Sequence, residues 1–131
     1  MKQLLSFDDP LARKVELTGG KGSSLAFFTQ SGFPVPTGFV VTSRSYLDFI
    51  APARELLLGV RGFSFDDPAR LRSESEELRA ALAAFPLSDS LEEDIRSTLE
   101  SEAEMAFAVR SSSTMEDLAS AAFAGQHDSY L

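Results

Sequence analysis

The stretch GGKGSSLAFFTQSGFPVPTGFVVT, residues 19–42, reads as a turn, a helix, a helix stop and a strand in succession. Gly22 to Gln30 has a helical pattern: Leu25 and Phe28 sit three apart on one face, and Phe27 widens the apolar surface beside them. Gly32 fits the stop, because helices commonly end on a residue in the left-handed conformation. FPVP, Phe33–Pro36, forces an extended path, since proline restricts itself and the residue before it. GFVVT, Gly38–Thr42, is a short β-branched run that predicts a buried strand. At the front, three glycines surround Lys21. Glycines let backbone N–H groups turn toward one point, a helix N-terminus favours an anion, and lysine adds a movable positive charge. The spacing is not that of a Walker A loop: Val15 stands at the first glycine position, and Gly22 follows the lysine. A phosphate-holding lysine and a plain turn both fit this stretch.

Outward from it, SFDDP occurs twice, at Ser6–Pro10 and Ser64–Pro68. Each copy offers an Asp that can cap and a Pro suited to a first turn. The flanks diverge, so the repeat is shared local chemistry and not a duplicated domain. Ser43 or Ser45 can cap a helix through Ile50, with Tyr46, Phe49 and Ile50 expected inward. Over residues 67–85, Leu71, Leu78, Leu82 and Phe85 share one stripe, and Pro86 ends it. Asp89 or Ser90 starts another helix, with Leu91, Ile95 and Leu99 spaced by four. These two segments are expected to form an antiparallel pair packed on a sheet, their leucines in the core. MAFAVR, Met105–Arg110, reads as a second strand. Ser113 with Glu116, or Thr114 with Asp117, fits a capping box after it. HDSYL, at the end, reads as a strand just beginning, so the chain is expected to be truncated after Leu131.

The chain has 131 residues, a length that suits one domain with one core. It contains no cysteine, which removes disulfides and thiolate metal sites. No apolar run approaches the roughly 20 residues of a membrane helix, and MKQLLSF is too short in its apolar part for a secretory signal. A cytoplasmic protein is the default expectation. The net charge of −8 argues against nucleic-acid binding, which relies on basic surface. Residues 66–104 hold 12 acids and 4 bases, so the excess acid lies in this middle segment. The glycine–lysine stretch lies in a neutral part, which leaves an anionic ligand possible there. The acidic segment reads as a solvated helical surface.

Arg110 stands at the carboxyl end of a predicted strand, where open α/β sheets place their ligands. Hydroxyls at Ser111, Ser112, Ser113 and Thr114 follow at once. An arginine fork, hydroxyls and a helix start can make a phosphate cradle. A capping cluster whose arginine pairs with Glu116 or Asp117 fits equally well. FAGQ, Phe123–Gln126, is either a hairpin turn or a site of close backbone approach to a ligand, with Gln126 donating.

Together, GGKGSSLAFFTQSGFPVPTGFVVT and AVRSSSTMEDLASAAFAGQHDSYL resemble the N-terminal nucleotide-binding domain of the phosphoenolpyruvate synthase and pyruvate phosphate dikinase family. Rifampicin phosphotransferases share that front domain. The resemblance covers about residues 15–50 and 105–131, and the middle helices match only in character. It implies an α/β (α+β) fold, the first lobe of an ATP-grasp domain, with a small sheet flanked by helices that include the acidic pair. It implies a parent enzyme that passes phosphate from ATP to a histidine on a separate domain, and from there to pyruvate or a drug. Carried over by motif, Lys21 and Arg110 would contact ATP phosphates, and the turn around Gly125 and Gln126 would cover them. Thr114 and the neighbouring serines would support Arg110 or reach phosphate.

Magnesium would be held by carboxylates of the second lobe, outside this chain. Glu116 and Asp117 are explained by the helix cap instead. His127 falls in the covering loop, so it is not expected to be the phosphorylated histidine. Ser113 stands where the family often has alanine, and Ala119 where proline is common; both bear on loop stiffness. This chain alone is expected to be inactive, with ATP, the remaining lobe and the phosphohistidine domain as its partners. A stand-alone binding or regulatory module, with the acidic helices as a docking surface, is the alternative.

Overall fold

The computed structural model describes residues 2–101, 106–114 and 129–130. It is α+β: helices with two small antiparallel two-stranded sheets. β1 (Leu4–Ser6) pairs with β2 (Phe39–Val41), Leu5 opposite Val40. β3 (Val109–Arg110) pairs with β4 (Ser129–Tyr130), Arg110 opposite Ser129. Antiparallel pairing removes the parallel-sheet argument for placing a ligand at the end of β3. β2 is also less enclosed than its composition predicts: Phe39 and Val40 are half-buried and Val41 is exposed. Among the described residues the ladder gives β2 one strand partner, which leaves one edge without a second strand.

Both SFDDP copies start helices. The Asp9 carboxylate accepts from the Leu11 N–H at 2.9 Å and opens a short 3-10 turn at Pro10–Arg13. Asp67 accepts from the Ala69 and Arg70 N–H groups, both at 3.1 Å, and opens a long helix at Pro68. In each case proline occupies the first turn, where its missing N–H costs nothing.

α1 (Val15–Gln30) is broken at Gly19, whose φ of 71° and ψ of 177° are not helical. The limb after the break buries its small residues, Gly22, Ser23 and Ala26. A Cβ on Gly22 would lie 3.1 Å from a methyl of Val40, so the helix backbone sits close over β2. The expected apolar face turns outward instead: Leu25, Phe27 and Phe28 are exposed. Phe28 meets Phe27 and Phe33 edge to face, at 5.6 and 5.5 Å between ring centres. The Arg13 guanidinium lies over Phe27 at 4.9 Å. Gly32 ends the helix with a φ of 81°, as expected.

α2 (Ser43–Ile50) is capped by Thr42, one residue before the expected serines. Its enclosed face is polar: the Ser45 hydroxyl donates to the Gln3 carbonyl at 3.2 Å, and Tyr46 is exposed, not inward. α3 (Arg54–Leu58) follows, then α4 (Pro68–Ala83) and α5 (Asp89–Glu100), the last capped by Ser88. The leucine stripes are not core. Leu71, Leu78, Leu82 and Phe85 are half-buried, and α4 has no buried residue. On α5 Leu91 is buried, while Leu99 is exposed. The tight core lies instead around Leu5, Ala12 and Ala26, with Phe7 and Leu17 packed against it. Among the described residues no helix is long and apolar enough to cross a membrane.

Candidate functional site

The break at Gly19 decides the geometry. Upstream of it, Thr18 is buried, and its hydroxyl donates to the Ala12 carbonyl at 2.7 Å, which ties the first limb of α1 to the core. Downstream, Gly20 to Gly22 form the first turn of the second limb, with Lys21 half-buried between them. The segment after β3 lies directly on this turn. The Gly20 N–H donates to the Ser113 carbonyl at 3.0 Å. The Gly22 N–H donates to the Ser112 hydroxyl oxygen at 3.0 Å, and that hydroxyl donates to the Thr18 carbonyl at 2.6 Å. A Cβ on Gly19 would stand 2.4 Å from Ser112 Oγ and 2.6 Å from its carbonyl carbon. Only glycine allows this approach, and only glycine readily takes this backbone conformation.

The glycine N–H groups therefore turn as the sequence suggests, but Gly20 and Gly22 aim theirs at the serine segment. Those two donors hold protein to protein and are not open to an anion.

A cleft of about 510 Å³ lies beside the junction, lined by Leu17, Val41 and Tyr46 together with Ser111 to Thr114. Thr114 is exposed at this cleft. Ser111 Oγ is enclosed and has no hydrogen-bond partner among the described residues. An enclosed hydroxyl with nothing to bond is costly, and a ligand oxygen reaching into the cleft would relieve it. Ser43, also at the cleft, donates to the Glu16 carbonyl at 2.6 Å and fixes α2 against α1.

The expected site residues are thus placed unequally. Lys21 and the segment following Arg110 meet at the Gly19–Gly22 turn. Arg110 itself is exposed on β3, two residues before Ser112. Neither Lys21 nor Arg110 is among the residues lining the cleft, whereas Thr114 is. Gly125, Gln126 and His127 lie outside the described residues, as do Glu116 and Asp117. The chain returns at Ser129 beside Arg110. Thr18 was not singled out by sequence. Its only signal is a threonine just before the glycine pair, and its burial depends on packing. Among the described residues no group of three or more His, Cys, Asp or Glu side chains could hold a metal ion.

The family described as pyruvate phosphate dikinase, AMP/ATP-binding domain, matches residues 15–131. The chain is similar to a probable phosphoenolpyruvate synthase of Methanocaldococcus jannaschii, 35% identical over all of this chain and 12% of that protein. It is similar to a rifampicin phosphotransferase of Streptomyces sviceus, 38% identical over 90% of this chain and 14% of that protein. A probable phosphoenolpyruvate synthase of Archaeoglobus fulgidus is 35% identical over 89% of this chain and 17% of its own length. The chain therefore spans less than a fifth of each of these relatives.

Proposed function

This chain belongs to the pyruvate phosphate dikinase, AMP/ATP-binding domain family, and on that premise we propose that it is the first lobe of an ATP-grasp domain in an ATP-dependent phosphotransferase. The observation that carries this reading is the seating of the Ser112 hydroxyl and the Ser113 carbonyl on the Gly19–Gly22 turn. It joins the segment that follows Arg110 to the turn that bears Lys21. In this reading Lys21 and Arg110 serve a polyanionic tail, because phosphoryl transfer needs charge neutralised more than it needs covalent help.

ATP fits the residues present. The unpartnered Ser111 hydroxyl and the exposed Thr114 face a cleft beside the cationic turn. In this reading Lys21 and Arg110 bind phosphate oxygens, Thr114 assists, and Gly125 and Gln126 belong to the covering loop. Magnesium would neutralise charge on the phosphates. In this reading the carboxylates that hold it belong to the rest of the protein. Phosphate would pass from ATP to a histidine on another domain, then to pyruvate or a similar acceptor. The remaining lobe and that domain are the partners. The compartment is the cytoplasm.

Calorimetric titration of the full-length protein with MgATP tests this. Lys21→Ala and Arg110→Ala should each weaken binding about tenfold or more, the scale of a lost hydrogen bond to a charged group. Unchanged affinity in both variants would overturn the assignment.

A further inference from the structure

We infer that Ser112 is a positioning residue for nucleotide binding: its hydroxyl locks the glycine turn in the form that presents Lys21, without itself touching the nucleotide. This rests on the ATP-binding reading above.

The argument begins with the hydroxyl's capacity. A serine hydroxyl has one proton to donate and two lone pairs to accept with. The Ser112 proton is committed to the Thr18 carbonyl at 2.6 Å. One lone pair is committed to the Gly22 N–H at 3.0 Å. What remains is a lone pair, which repels a phosphate oxygen. Ser112 is therefore unsuited to hold the nucleotide, in contrast to Ser111, whose hydroxyl has no partner.

The two bonds have opposite anchors. Thr18 precedes the break in α1 and is fixed to the core through Ala12. Gly22 follows the break and belongs to the limb that carries Lys21. Gly19, between them, has a φ of 71° and no side chain to restrict it. Without a clamp, this joint is the natural place for the turn to flex. Ser112 spans the joint and fixes the angle between the limbs. The Gly20 N–H bond to the Ser113 carbonyl, at 3.0 Å, holds the same segment by its backbone. Lys21 lies between the two glycines so bonded, so its backbone direction is set by this clamp.

A double-mutant cycle on MgATP affinity in the full-length protein tests the inference, with the thermal midpoint of each variant recorded. Ser112→Ala should weaken MgATP binding about five- to tenfold. The same change made on a Lys21→Ala background should weaken it less than about twofold, because nothing is left for the clamp to position. A purely structural serine would lower the thermal midpoint and act equally on both backgrounds. If Ser112→Ala does not fold, Ser112→Cys keeps the size but bonds weakly, and the same cycle is read with it. Equal losses on both backgrounds, or no loss when Lys21→Ala itself weakens binding, overturn the role of Ser112 and leave the ATP reading intact. Full affinity in Lys21→Ala overturns the role given to Lys21, and the positioning role falls with it.

Discussion

The Ser112 hydroxyl donates to the Thr18 carbonyl across 94 positions of sequence, at 2.6 Å. That bond brings the hydroxyl-rich segment onto the glycine turn, and Gly19 makes room for it. Gly19→Ala should be far more damaging than a surface glycine substitution. Its added methyl would stand 2.6 Å from Ser112 backbone atoms, on a backbone conformation open essentially to glycine alone. We expect a loss on the order of 3 kcal/mol in urea unfolding. Gly32 is the control: its φ is 81° but nothing lies within 4 Å of an added Cβ. Gly32→Ala should cost only about 1 kcal/mol, the left-handed penalty alone. Equal costs at the two positions would mean that the close approach at Gly19 does not exist.

Ser111 offers a separation of stability from binding. Its enclosed hydroxyl has no partner, so removing it relieves a desolvated group. Ser111→Ala should leave the thermal midpoint of the free protein unchanged or raised, while lowering MgATP affinity a few-fold. A lowered midpoint with unchanged affinity would refute the role of this hydroxyl in the cleft.

Acid should weaken the fold through two carboxylates. The hydrogen bond from Lys2 Nζ, at 2.6 Å, and then the Leu11 N–H hold Asp9 below its ordinary range. Glu74 is lowered chiefly by the Arg70 Nε bond at 2.8 Å, with desolvation opposing and the Ser64 N–H adding. A carboxylate lowered in the folded state adds stability that is fully present above its unfolded value, near about 4. That stability is lost as pH falls through the lower folded value. The double variant Asp9→Asn, Glu74→Gln should therefore be less stable at neutral pH and lose less on acidification below about pH 4. Thermal melts over that range check it; parallel curves for both proteins would refute it.

The second SFDDP copy allows a test of capping alone. Asp67→Ala removes the acceptor for two N–H groups at the start of α4 and should cost about 1 kcal/mol. Asp67→Asn keeps a side-chain oxygen and should recover most of that loss in the same denaturant titration.

Much of this was legible from sequence where the chemistry is local. The paired caps at Asp9 and Asp67 and the stop at Gly32 follow from residue type alone. The start of α4 and its extent were also readable, because proline marks one end and periodicity the rest. What sequence missed depends on packing. β1 is three residues long and has no period to detect. The aromatic face of α1 was the visible signal, yet the helix buries Gly22, Ser23 and Ala26 because its backbone lies close over Val40. Tyr46 was misplaced for a related reason: α2 docks through the hydroxyl of Ser45, and hydrophobic periodicity does not register a polar docking face. At the site, the motifs named Lys21 and the hydroxyl cluster, but not Thr18 or the split of tasks between Ser111 and Ser112.

Enclosure is uneven along the chain. Leu5, Ala12 and Ala26 are sealed, while α4 has no sealed residue at all. Amide hydrogens of α4 should therefore wash out into heavy water through local breathing, while those around Gly22 to Ala26 wait for a larger opening. The glycine joint thus rides on a stretch expected to open more slowly than α4, so that α4 can fray, shift or be rebuilt without loosening the lysine beside it.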